Sequence, residues 1–139
     1  MRIVLDTNVF ISGVLWAGNE SAILQMCSSG TVEMYLSPRL LREYCDVLCR
    51  GKFANRLASV GVEPDDILAS LLGFAHVVDP NTTVDIITED PDDNMVLECA
   101  EAVPDLDFIL SGDAHLLKLK SYKGTPIVQA SEFLKYMMP

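Results

Sequence analysis

The stretch Ile3-Val4-Leu5-Asp6-Thr7-Asn8 decides how the rest of the chain is read. Three apolar residues, two of them β-branched, stop abruptly at an acid. So short and uniformly apolar a run suits a strand buried on both faces, as in a parallel sheet. Residues 9–16 continue apolar at helical length. The same alternation carries outward along the chain. Strands are predicted over 32–36, 76–78, 108–110 and 126–128. Helices are predicted over 19–28, 37–50, 64–74, 90–102, 114–119 and 131–137, with a further helical turn or two over 53–59. Ser37-Pro38 and Asp90-Pro91 each set a capping side chain before a proline suited to the first helical position. Residues 79–89 are polar, hold Pro80 and Asn81, and read as a connection.

Apolar strands alternating with helices predict an α/β fold with a central, mainly parallel sheet of about five strands. Right-handed crossovers put helices on both faces, giving three layers. No repeat, low-complexity tract or linker divides the chain, so residues 1–139 read as one domain. In such sheets, sites form beyond the carboxyl ends of the strands, where strand order reverses.

Twenty Asp and Glu face ten Lys and Arg among 139 residues, for a formal net charge of −10, and half the residues are apolar. That composition excludes a disordered, collagen-like or coiled-coil protein. The acid excess argues against sequence-independent binding of nucleic acid through a basic face. Clustered carboxylates can still hold divalent cations, and those cations can meet phosphate. The apolar run before Asp6 is too short for a signal peptide or membrane anchor, and no later stretch suits a bilayer span. Cys27, Cys45, Cys49 and Cys99 form no CxxC pair, and two histidines, His76 and His115, are too few to complete a zinc set. They read as reduced, small buried residues of a cytoplasmic protein.

The carboxylates carry the chemistry. Asp6 follows the first strand directly, and Asp113 follows the 108–110 strand after Ser111-Gly112. Either alone could be a helix cap. Glu43 falls beside Val47 at the rim of the apolar arc formed by Leu40, Leu41, Tyr44, Cys45, Val47, Leu48 and Cys49. A surface ion pair with Arg39 or Arg50 would also account for it. In the acidic run Glu89-Asp90-Pro91-Asp92-Asp93-Asn94, the helix dipole favours acids in the first turn. Asp93, however, projects with Leu97 and Ala100 toward the packed side, where an isolated carboxylate is costly. Four acids at one sheet edge repel one another and so shift their pKa values upward or bind cations. Oxygen-only ligands select Mg²⁺ or Mn²⁺. The matching chemistry is metal-assisted hydrolysis of a phosphodiester, which needs no nucleophilic side chain.

In order, Ile3-Val4-Leu5-Asp6-Thr7-Asn8-Val9, Ser37-Pro38 with Glu43, Asp90-Pro91-Asp92-Asp93-Asn94 with Leu97-Glu98-Cys99-Ala100, and Ser111-Gly112-Asp113-Ala114-His115-Leu116-Leu117 resemble the four motifs of the PIN-domain family. The likeness runs from residue 3 to 133 and is strongest to the small prokaryotic members that act as toxins of toxin–antitoxin systems. Thr is more usual where Ser111 stands, and the hydroxyl is kept. The resemblance implies a metal-dependent ribonuclease with Asp6, Glu43, Asp93 and Asp113 as the metal-binding acids, and Mg²⁺ or Mn²⁺ as cofactor. It further implies that Asn8 supports Asp6 by hydrogen bonding and that Ser111 or Thr7 orients the site. An antitoxin protein and a homodimer are the partners it suggests. Helix facing and motif alignment favour Asp93 over Asp92 in the third role. His115 reads as a surface histidine. Arg39, Arg42, Arg50, Lys52 and Arg56 are the candidate RNA contacts. The alternative function is a PIN-fold module that binds RNA or a protein without cleaving. A phosphatase with an aspartyl nucleophile would want Asp-x-Asp where Asp6-Thr7-Asn8 stands, and a receiver domain would want paired acids and a late lysine in an order absent here.

Overall fold

Strand β1 (Arg2–Leu5) is the opening apolar run, and Ile3, Val4 and Leu5 are all fully buried. A computed structural model describes residues 1–87 and 93–138. Around β1 stand β2 (Glu33–Leu36), β3 (His76–Val77), β4 (Phe108–Leu110), β5 (Ser121–Tyr122) and β6 (Thr125–Val128), in the order β3-β2-β1-β4-β6-β5. All neighbouring pairs are parallel except β5 with β6. The sheet is flanked by α1 (Thr7–Leu15), α2 (Asn19–Ser28), α3 (Pro38–Leu48), α4 (Gly51–Ser59), α5 (Pro64–Leu72), α6 (Asn94–Glu101), α7 (Ala114–Leu119) and α8 (Ala130–Met137). The predicted α/β architecture is therefore present. The predicted helix start at Asp90-Pro91 lies outside the described residues.

β1 is central because both its faces and both its edges are covered. The chain passes from β1 to β2 and β3 on one side, then returns to place β4 and β6 on the other. Strand order thus reverses between β1 and β4, where Val4 pairs with Ile109 and Leu5 with Leu110. A crevice opens beyond the carboxyl ends at such a point.

Three contacts fix the end of β1. The Asp6 N–H donates to the Leu110 carbonyl at 2.9 Å, carrying the β1–β4 ladder one residue past the strand. The buried Tyr44 hydroxyl, from α3, donates to the Leu5 carbonyl. The Tyr44 ring stacks on Phe10 of α1, centroids 4.3 Å apart. Ser37 caps α3, its hydroxyl accepting from the Leu40 N–H at 3.1 Å, and Pro38 opens the helix as the sequence indicates. Helices α1 and α2 meet closely at Gly13, where an added Cβ would lie 2.6 Å from Leu24 Cδ1 and 2.9 Å from the Glu20 carbonyl oxygen. No side chain larger than hydrogen fits there without displacement.

Two sequence expectations need correction. The sheet gains β5, a two-residue strand turned back on β6 by Lys123-Gly124, both at positive φ (48° and 84°). That is the backbone of a tight two-residue hairpin, for which a glycine between strand residues is the usual sign. The cysteines are not uniformly buried. Cys27 and Cys99 are, and burial pushes both thiols up to about 12. Cys49, at the end of α3 where the chain leaves the core, is exposed. Among the described residues no helix is long and apolar enough to cross a membrane.

Candidate metal centre

The four acids singled out in the sequence line one pocket of about 210 Å³ at the crevice between β1 and β4. Each arrives from a different element: Asp6 from the end of β1, Glu43 from α3, Asp93 from the residue before α6, and Asp113 from the residue before α7. Asp6 and Asp93 are buried, and Glu43 and Asp113 half-buried. Val47, one turn after Glu43, forms part of the wall, as the rim position on α3 requires.

Asp6 is held by its neighbours. The Thr7 N–H donates to Oδ1 at 2.7 Å, and the Ser111 hydroxyl donates to Oδ2 at 2.8 Å. Ser111 is itself fully buried and accepts from the Asp113 N–H at 2.9 Å. One hydroxyl thus ties the first strand's acid to the fourth strand's turn across 105 residues of sequence. Asp113 Oδ1 accepts from the N–H groups of His115 at 2.8 Å and Leu116 at 3.3 Å, capping α7. Capping and lining the pocket are therefore compatible duties for Asp6 and Asp113 alike.

Asn94 and Glu98 secure α6 and with it Asp93. The Asn94 side chain accepts from the N–H groups of Ile86 and Ile87 at 3.1 and 3.0 Å and donates to the Ile87 carbonyl at 2.9 Å. Glu98 Oε1 accepts from the Val84 N–H at 3.1 Å, and its Oε2 meets the Arg39 guanidinium at 3.1 Å. Both side chains are buried. They fasten the segment around residues 84–87 onto α6, a role the sequence did not disclose.

The supporting residues sort differently from the sequence reading. Asn8, the expected support of Asp6, is exposed and stands between the acidic pocket and a neighbouring cavity of about 260 Å³. Ser111 and the Thr7 backbone provide the support. Arg39, a candidate RNA contact, is engaged with Glu98. Arg50 lines the acidic pocket itself. Arg42 and Lys52 are exposed, Lys52 Nζ lying 4.8 Å from the Phe53 ring centre. Arg56 donates from Nε to the Leu15 carbonyl at 2.8 Å and covers the Trp16 ring, so it braces α4 against α1. Asp92 lies outside the described residues.

His115 is the residue the sequence reading undervalued. Its Nδ1 lies 3.6 Å from Asp113 Oδ1 and 3.8 Å from Asp93 Oδ2. Its place two residues after Asp113, in the first turn of α7, was the available sign. One ligand atom from each of Asp93, Asp113 and His115 lies within 4.8 Å of the others. Carboxylate oxygens, one imidazole and a pocket rather than a closed cage make a donor set suited to a hard or borderline divalent cation.

An α/β sheet with an acidic pocket at its switch point is an arrangement suited to divalent-cation chemistry. A family model for the PIN domain matches residues 2–115, a span that includes all four acids and His115, and the chain belongs to the PIN-domain family. PIN domains are generally nucleases and usually bind divalent metals, and the acidic cluster is compatible with that. No curated protein matched the sequence.

Proposed function

We propose that this protein is an endoribonuclease that hydrolyses RNA phosphodiester bonds with Mg²⁺ or Mn²⁺ held by Asp6, Glu43, Asp93 and Asp113. The observation that carries the reading is the convergence of these four acids, from four elements, on one pocket at the strand-order reversal. Without a cation such a pocket repels phosphate, so RNA affinity at the site depends on metal. The bound cation supplies acidity to a water molecule and offsets the charge that builds on the phosphate oxygens.

The chain's own groups do the rest. Ser111 and the Thr7 N–H fix the Asp6 carboxylate in one orientation, which spares reorganisation during reaction. The Ser111 link to the Asp113 N–H keeps the β1 and β4 acids at a constant separation. Arg50, the cation of the pocket wall, binds a non-bridging phosphate oxygen and seats the RNA strand. Arg42 and Lys52, on the same stretch of α3 and α4, extend that contact along the backbone. The family likeness supports a toxin held in check by an antitoxin in the cytoplasm, acting as a homodimer.

The test is cleavage of end-labelled RNA by the purified protein, with Mn²⁺, with Mg²⁺ and with chelator, beside Asp6→Asn and Asp93→Asn. Metal-dependent cleavage lost in both variants is expected. Cleavage that survives both substitutions overturns the reading, and metal-dependent RNA binding without cleavage assigns the protein to the non-cutting alternative.

A further inference from the structure

We propose that His115 is a nitrogen ligand of the cation, so that this centre is a mixed oxygen–nitrogen site that prefers Mn²⁺ to Mg²⁺. The proposal rests on the reading above that the pocket holds a cation.

Three observations carry it. First, Nδ1 of His115 is buried and makes no hydrogen bond among the described residues, although the side chain as a whole is 40% exposed. The ring has its outer edge toward water and one nitrogen turned inward. Second, the inward nitrogen faces one oxygen of Asp113 and one of Asp93, at 3.6 and 3.8 Å. A charged imidazole donating to a carboxylate closes to roughly 2.7–2.9 Å. These separations exceed that and exceed an ordinary hydrogen bond. Third, ligand atoms about 2.1 Å from a shared ion lie roughly 3 Å apart at right angles and about 4.2 Å apart across it. Both observed separations fall within that interval.

An imidazole protonated at its outer nitrogen presents a lone pair at Nδ1. Such a nitrogen is a good ligand for first-row transition ions and a poor one for Mg²⁺, which favours oxygen and keeps its waters. Backbone geometry holds the ring at the site, because the His115 N–H is bound to Asp113 Oδ1 at 2.8 Å. The other histidine, His76, cannot substitute. It lies on β3, stacked on Tyr35 with centroids 4.8 Å apart and 3.8 Å from Glu33.

Mn²⁺ alone is the probe, added to the full-length protein. Pulsed electron paramagnetic resonance reads imidazole nitrogen coupled to the ion, and calorimetric titration reads affinity for Mn²⁺ and for Mg²⁺. Nitrogen coupling is expected in the native protein and in His76→Ala. It should vanish in His115→Ala and His115→Asn, with Mn²⁺ affinity falling at least ~10-fold and Mg²⁺ affinity changing less. Circular dichroism confirms that each variant is folded, and two different replacements guard against one that misfolds. Mn²⁺ bound without nitrogen coupling overturns the proposal and leaves the cation reading intact. Unchanged or tighter Mn²⁺ binding in the His115 variants also overturns it, since the imidazole would then be competing with the ion. Mn²⁺ binding that is missing in the native protein, or indifferent to Asp93→Asn, overturns the cation reading and this proposal with it.

Discussion

Asp93 and Glu98 are five residues apart, one just before α6 and the other within it, and they are buried to nearly the same degree. Their surroundings are opposite. Glu98 meets an arginine and a backbone N–H, so its charge is answered from within the protein. Asp93 looks into a pocket shared with three other acids, with Arg50 at the wall and an imidazole nearby. A buried acid satisfied by its own fold is a fastener. A buried acid that shares a pocket with other acids gains from added positive charge, because their mutual repulsion weakens the native state. Cys99, next to Glu98, takes a third course: burial pushes its thiol up to about 12, so it stays neutral and packs as an apolar group.

The comparison breaks most visibly at Asp93. Asp93→Asn should lower metal-dependent RNA cleavage by more than ~100-fold, beyond the ~10–100-fold typical of residues behind the ligands. In metal-free buffer it should leave stability unchanged or raised, as expected where function opposes stability. Native protein with Mn²⁺ at 100 times its Kd should gain about 2.7 kcal/mol of stability, and Asp93→Asn should lose most of that gain. Urea titration with and without Mn²⁺ measures both. Next in size, Ser111→Ala should cut cleavage ~10–100-fold, and Ser111→Thr should restore it, by initial rates on one RNA.

Glu98→Ala should show the reverse profile. Removing it leaves the Val84 N–H buried without its acceptor, at a cost of about 1–3 kcal/mol. Cleavage per folded molecule should be retained, so denaturation and activity separate the fastener from the site. Arg39→Ala should cost less, about 1 kcal/mol or below, because the arginine side chain is 55% exposed and screened. Its RNA affinity should match the native protein's in a filter-binding assay, whereas Arg50→Ala should weaken binding. The smallest effect concerns Cys27 and Cys99. Burial holds both thiols above the ordinary thiol value of 9.0, so stability is intact below pH 9 and declines as pH rises toward 12. Iodoacetamide at pH 8 should therefore label Cys49 and spare Cys27 and Cys99, read by mass spectrometry.

Much of this was legible in the sequence, and the reasons are physical. An apolar strand that ends in an acid states both its burial and its edge, so Asp6 and Asp113 were visible from local pattern. Glu43 was visible from helical periodicity beside Val47. Long-range partnerships were not. Nothing near Glu98 announces that its arginine lies 59 residues away, and nothing near Asn94 announces the three bonds it makes to residues 86 and 87. The β5–β6 hairpin escaped because a two-residue strand has no period to read. Arg39 looked like its neighbours Arg42 and Arg50 because charge along a helix does not disclose which side chain finds a buried partner. His115 looked like surface because only one of its nitrogens turns inward.

The bond from the Tyr44 hydroxyl to the Leu5 carbonyl has a consequence for the order of events during synthesis. Tyr44 and Glu43 are adjacent on α3, and Leu5 and Asp6 are adjacent at the end of β1. The contact that closes the core between these elements therefore also brings the first two acids into place. The remaining two arrive only with α6 and β4, the latter contributing Asp113 and the Ser111 hydroxyl that steadies Asp6. A fragment that ends before β4 lacks both Asp113 and Ser111. On the proposed function, capacity to cut is then a property of the docked chain that includes β4 and α7, and its appearance marks the finished fold rather than any earlier stage.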